Sequence, residues 1–258
     1  MTPDPKQQAR ERLQLWRAAR ATEYDYARKL RMVAQNVDNF VVAHVHGVLR
    51  EAQLREGVDQ IYATLLKYAD VLDTWATSAA RAMVTEVAAR NRNTWMREAR
   101  DAGLELRNQI EFAPIESTMR ELMKTQVDLI KSLPLEAAQR VQDLAIEHLS
   151  SGERVDSIVA EIMRTGEVTR SRAETIARTE CGRASTSLTQ ARSEATGNTH
   201  YTWRSMQDSS VRDLHRHLDG TVHAWSNPPV ADERTGIRAH PGCIWNCRCI
   251  AIPIITNF

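Results

Sequence analysis

What this 258-residue chain lacks narrows it first. No apolar run reaches the roughly 18 residues at which a membrane-crossing helix becomes a candidate, and Met1-Thr2-Pro3-Asp4-Pro5-Lys6 does not have the charged-then-apolar layout of a secretory signal. The expectation is a protein made and kept in a cytosol, where four cysteines read as free thiols or metal ligands before they read as disulfides. An excess of either charge is also missing. The 34 lysines and arginines against 33 acidic residues leave a net +1, which excludes a tail that coats nucleic acid by charge alone. No G-x-x-x-x-G-K-[ST], G-x-G-x-x-G or G-x-S-x-G occurs, so nucleotide-driven packaging and serine-hydrolase chemistry have no support. Lysine is absent after Lys131, and every later cation is arginine. Arginine suits fixed bidentate or stacked contacts better than lysine, although a GC-rich coding sequence gives the same bias.

At this length the chain can bury a sizeable core, as one large domain or two small ones. From Lys6 to about Ser150 apolar residues recur at spacings of three and four with few strong breakers, which predicts helix. The narrowest stripe is Ile61, Leu65, Tyr68, Leu72, Trp75, Ala79 and Ala82, a four-three alternation along one long helix that requires a partner helix. Gly57 is read as marking the start of that helix, and Gly103 as weakening the pattern further on. Asp38 is an N-cap candidate for the preceding helix, which runs to Ala52 and carries Phe40, Val41, Val45, Val48 and Leu49. Pro114 punctuates the chain. Met119, Leu122, Leu129 and Leu133 then predict a helix ending before Pro134, which opens the next one, Leu135 to Leu149, stopped by Ser150-Ser151-Gly152. A short helix from Val155 to Met163 ends near Gly166, and a longer one runs from about Thr169 to Ala195, closed by Gly197. Along it Ala177, Cys181, Ala184, Leu188, Ala191 and Ala195 make a seam of small residues that lets another element approach closely, so Cys181 reads as packing.

Beyond Gly197 the period changes to two. Tyr201 and Trp203 alternate with Thr202 and Arg204, Val222 and Trp225 flank a short run, and Ile250, Ile252, Ile254 and Ile255 form a β-branched stretch, which predicts three strands of a small sheet. The fold class expected is α+β, mostly helical in the N-terminal two thirds, with a small C-terminal antiparallel β-containing module.

The unusual side chains crowd into that module. Asp208-x-x-Val211-Arg212-x-x-His215-x-x-Leu218-Asp219-Gly220 is followed by His240-Pro241-Gly242-Cys243 and Asn246-Cys247-Arg248-Cys249. Together with Gln126-Val127-Asp128-Leu129-Ile130-Lys131-Ser132-Leu133-Pro134 and Ala173-Glu174-Thr175-Ile176-Ala177-Arg178-Thr179-Glu180, and in this order, these residues resemble the phage Mu F-like family of minor head (head morphogenesis) proteins. The resemblance runs from about Gln126 to Ile255 and divides the chain into a helical region, 1–125, for partner contacts and a Mu F-like module, 126–258. Within the module a long helix is expected at about 169–196 and the sheet at about 200–256. The resemblance implies a structural, non-enzymatic virion component inside the capsid near the portal, present in the host cytoplasm during assembly, that assists head morphogenesis or DNA packaging and ejection. Its implied partners are the portal protein, then major capsid or scaffolding protein, with weak contact to packaged DNA and no membrane. The motif residues it singles out are Arg178, Arg212, His215, Asp219, Gly220, Asn246, Cys247, Arg248 and Cys249.

Chemistry read from these residues leaves alternatives open. Arg212 and His215 lie one helical turn apart, where they can hydrogen-bond backbone carbonyls of the irregular loops, or His215 can ligate a metal or transfer a proton. Cys247 and Cys249 point to one face with Arg248 on the other. His215, His240, Cys243, Cys247 and Cys249 are the zinc candidates, since thiolates and imidazole are the usual ligands. Spacing argues the other way: a structural zinc site draws on two ligand pairs, and the first would come from Arg212-x-x-His215, where arginine cannot ligate. The expectation is therefore no cofactor, with zinc as the alternative. His215-x-His217 with His223, His240 and Asn246 also resembles a histidine-asparagine nuclease motif, which would make the chain a metal-dependent nuclease or DNA-binding accessory protein. That motif needs a helix after Cys249, and none is expected. Trp203, Trp225 and Trp245 could stack bases, but they read first as the core of a small sheet. His44 and His46, two apart on a helix, cannot share a ligand.

Overall fold

In a computed structural model the residues described are 20–48, 50–100, 104–151 and 154–255. Helices fill the first two thirds: α1 (Arg20–Val45), α2 (Glu51–Val71), α3 (Asp73–Glu98), α4 (Leu104–Glu111), α5 (Glu116–Ser151), α6 (Val155–Met163) and α7 (Thr165–Ala195). The remainder contains β1 (His200–Arg204), the single turn α8 (Asp213–His217), β2 (Val222–Ala224), β3 (Val230–Asp232), β4 (Ile237–Arg238) and β5 (Ile250–Pro253). The fold is α+β, as its periodicities predict. Among the described residues no helix is long and apolar enough to cross a membrane. The expectations resting on residues 6–19 and on Leu49, Gly103 and Gly152 lie outside the described residues.

The described residues form two compact units, one from 24–81 and 124–177, the other from 20–23, 82–123 and 178–255. Each takes segments from both sides of residue 125.

In the first unit the apolar faces of four helices close on one another: Val37, Val41 and Val45 of α1, Leu54, Val58, Ile61 and Leu65 of α2, Ala137, Ala138 and Val141 of α5, and Ile158 and Ile162 of α6. Here Tyr26 Oη donates to the buried Gln126 Oε1 at 3.0 Å. Several residues expected to punctuate the helices do not. Asp38 lies inside α1 and does not cap a new helix. Gly57 lies inside α2, where a Cβ would stand 2.6 Å from the His44 carbonyl oxygen, so it permits a close approach and does not start the helix. Gly166 lies in the first turn of α7, against the Asp38 side chain. Pro134 sits within a continuous α5, because Leu133, Ala137 and Ala138 around it are buried and hold the helix together despite the lost backbone bond. The long stripe also breaks. Leu72 separates α2 from α3, and beyond it the buried face moves to Ala76, Ala79 and Ala80, leaving Trp75 half-buried and Ala82 exposed.

In the second unit β1 is the centre of a three-stranded antiparallel sheet in the order β2-β1-β5, with Thr202 opposite Val222 on one side and Ile252 on the other. Tyr201 and Trp203 are fully buried. Their cluster takes in Trp225, Ala231, Ile244, Cys247, Cys249 and Ala251. A further cluster joins Ile250 and Ile252 to Trp95, Ala99, Leu106 and Ile110. The hairpin of β3 and β4, with Val230 opposite Arg238, adds strands that the sequence does not predict; they are too short to show a period. α7 ends as expected at Gly197, whose φ of +73° no β-carbon residue adopts cheaply.

Candidate functional site

The motif residues of the C-terminal module surround the end of β1. Asp219 closes the turn after α8: its Oδ1 accepts the Ser205 N–H at 2.8 Å, its Oδ2 accepts Gln207 Nε2 at 3.0 Å, and Arg204 pairs with it at 3.8 Å. Gly220, at φ +85°, donates its N–H to the Trp203 carbonyl at 2.8 Å. The Leu-Asp-Gly segment thus ties the β1–β2 connection back onto β1, a backbone role that needs an acceptor at 219 and a left-handed residue at 220.

Arg212 is exposed and reaches across to the Trp245 carbonyl at 2.8 Å. His215, one turn on, is 2% exposed. Its Nε2 lies 2.9 Å from the Ala231 carbonyl on β3, so that nitrogen carries the proton and Nδ1 is left with its lone pair. Arg212 thus bonds a loop carbonyl, and His215 a carbonyl of a strand.

The Asn-Cys-Arg-Cys loop is shaped by Asn246, at φ +55°. Its N–H donates to Thr179 Oγ1 at 3.1 Å, and its Oδ1 accepts Arg178 Nη1 at 3.2 Å. Arg178 also pairs with Glu23 at 3.5 Å. Arg248 turns away from the thiols to Asp208 at 2.7 Å. Gly242, at φ +80°, donates its N–H to Cys247 Sγ at 3.4 Å, and a Cβ there would sit 3.1 Å from the Cys249 carbonyl oxygen.

This geometry brings His215, Cys247 and Cys249 together. Their ligand atoms all lie within 4.8 Å of one another, and both sulfurs are 3.6 Å from His215 Nδ1. The hydrogen bond from Cys249, joined by one with His215 and one from the Gly242 N–H, outweighs burial and lowers the pKa of the Cys247 thiol. Cys249 is pushed up by Cys247 and by burial. Burial disfavours the His215 imidazolium, but the hydrogen bond and charge of Cys247 and the bond to Ala231 raise its pKa. A small cavity of about 100 Å³ adjoins the three, lined also by Met206, Ser210, Val211, Arg212, Asn246 and Arg248.

The other two zinc candidates stand apart from this group. His240 Nδ1 accepts the Tyr201 hydroxyl at 3.0 Å, with the Trp225 ring edge-on at 5.3 Å, and burial lowers its pKa. Cys243 is pushed up to about 12 by burial, and its carbonyl accepts Arg183. Cys181, in the small-residue seam of α7, is likewise pushed up to about 12 by burial and reads as packing. The nuclease constellation is not assembled. His217 is exposed, Asn246 is engaged by Arg178, and the residues after Cys249 form β5 with no helix among those described. Trp203 and Trp225 are core while Trp245 is 55% exposed. Sequence reasoning missed Asn91, Thr189 and Arg192, a buried polar cluster between α3 and α7; no local pattern marks it.

A Haemophilus influenzae protein described as uncharacterized is 31% identical over 156 residues, 60% of this chain, and the chain spans 34% of that relative's length. No solved structure matches. Residues 139–252 match the family described as Phage Mu protein F like protein, a structural family of phage head morphogenesis. The Gln126–Pro134 lead lies outside the matched residues, whereas α7, the Arg212–Gly220 turn and the cysteine loop lie within them. Over residues 139–252 this chain is similar to the phage Mu F-like proteins.

Proposed function

We propose that the chain is a minor head protein of a tailed bacteriophage, carried inside the capsid at the portal vertex, where it assists head assembly or the passage of DNA. The observation that carries this reading is the family match over 139–252. It is supported by the work the motif residues do. Asp219, Gly220, Asn246, Arg178, Arg212 and Arg248 spend their polar groups on backbone atoms, on one another and on the side chains of Glu23, Arg204, Gln207 and Asp208, as residues that shape a docking module do. On this reading residues 126–258 act as the family module and the upstream helices supply partner contacts. The portal protein is the principal partner, and major capsid or scaffolding protein comes second.

The test is mass spectrometry of purified virions together with co-purification of the full chain with portal oligomers of the same phage. Presence in the particle and co-elution with the portal are expected; absence from both overturns the proposal. Contact with packaged DNA should be weak, because the cations and anions nearly balance. Binding in the range of about 10⁻⁴–10⁻⁶ M at physiological salt is expected. A nanomolar Kd under those conditions, measured by titration across salt concentrations, would contradict it.

A further inference from the structure

We infer that His215, Cys247 and Cys249 form a binding site for one zinc ion, with water as the fourth ligand. The first ground is geometric. Zinc bonds of about 2.3 Å to sulfur and about 2.0–2.1 Å to nitrogen, at tetrahedral angles, place the sulfur and nitrogen about 3.6 Å apart. Both sulfurs lie 3.6 Å from His215 Nδ1. A single Nδ1 lone pair can accept a hydrogen bond along its axis from one thiol; two sulfurs at equal distance from it describe edges of a coordination tetrahedron.

The second ground is the surrounding shell. Metal-binding imidazoles characteristically donate the distal N–H to a carbonyl or carboxylate, which fixes the ring. His215 Nε2 does so to Ala231. The Gly242 N–H points at Cys247 Sγ, a donor suited to a thiolate and held in place by a left-handed glycine. Two soft thiolates and one imidazole select zinc over the hard divalent cations. Two thiolate charges are offset by the ion's own, so the buried ligands are far less costly together with it than without. No fourth protein ligand belongs to the group among the described residues, but the adjoining cavity of about 100 Å³ is roomy enough for water. The sequence objection that Arg212 replaces a ligand is met by this fourth position: arginine lines the cavity and leaves it open. The ion would join α8 to the loop before β5, across 32 and 34 residues of chain, and this stands whether or not the chain serves in a phage head.

The experiment is elemental analysis of the full chain, purified without chelator after growth with added zinc. One zinc per chain is expected, retained in Cys243→Ser and Cys181→Ser and lost in Cys249→Ser and His215→Asn. Because a ligand variant could misfold, cobalt(II) is also exchanged into the unmodified chain, where thiolate-to-cobalt absorption and the visible bands of a tetrahedral ion should appear. A folded, unmodified chain that takes up neither zinc nor cobalt overturns the site. Full zinc content in Cys249→Ser, or its loss in Cys243→Ser, overturns the ligand set.

Discussion

At the scale of single residues, Asn91 carries more than its place on α3 suggests. The guanidinium of Arg192 is 3% exposed and donates to Asn91 Oδ1 at 2.7 Å, while Asn91 Nδ2 donates to Thr189 Oγ1 at 2.8 Å. Burial already lowers the Arg192 pKa to about 10. Asn91→Ala would leave a buried cation without its acceptor, which costs about 2–4 kcal/mol. Thermal unfolding should therefore fall by roughly 5–12 °C at this chain length, and a drop below about 2 °C would show that the pair matters little. His240 gives a pH dependence. Its neutral ring accepts the Tyr201 hydroxyl, and the groups facing it are Glu194, His223 and the Trp225 carbonyl. Its folded pKa lies below the unfolded value of about 6.5, so the folded state binds fewer protons between the two. The stability it contributes is complete above pH 6.5 and is lost as pH falls below that. Denaturant titrations of the unmodified chain and His240→Asn from pH 7.5 to 5.5 should show the difference between them shrinking with acidity; parallel curves would refute the assignment.

At the scale of elements, glycine inside a helix usually costs about 1 kcal/mol relative to alanine, so a Gly→Ala change in α2 should stabilise it. Gly57 should invert that sign. Its missing Cβ is replaced by the His44 carbonyl oxygen at 2.6 Å, a backbone atom that cannot swing away. Gly57→Ala is expected to destabilise by about 1–3 kcal/mol, read as a lowered denaturation midpoint, and a raised midpoint would mean α1 and α2 separate without penalty. The same contact explains what the sequence could and could not reveal. Apolar residues spaced by three and four, such as Ile61, Leu65 and Tyr68, report helix correctly because side-chain period is local. Gly57, Gly166 and Pro134 read as boundaries because local propensity favours that; tertiary contact with His44, Asp38 and the core around Leu133 decides otherwise. The site follows the same rule. Cys247 and Cys249 on one face are legible from a spacing of two. That His215, and not His240 or Cys243, completes the group depends on where α8 lands against β3, which no spacing encodes.

At the scale of the whole molecule, chain order and packing order differ, and this limits how the protein can be divided. The core of one unit joins Val37, Val41, Leu54, Ile61 and Leu65 to Ala138, Val141, Ile158 and Ile162. A core cluster of the other joins Trp95, Leu106 and Ile110 to Ile250 and Ile252. A chain beginning at residue 126 would keep every motif residue named above and yet lose one side of both clusters. Removing the partners of even a few fully buried large side chains costs about 3–5 kcal/mol for each tryptophan or leucine-sized cavity, against a total stability of about 5–15 kcal/mol. Residues 126–258 alone are thus expected to aggregate or to melt without a cooperative transition, followed by calorimetry and circular dichroism beside the full chain. A sharp transition and native near-ultraviolet signal from the fragment would mean that the family module folds by itself, and that the helices packed against it from 24–125 are additions to a self-sufficient unit.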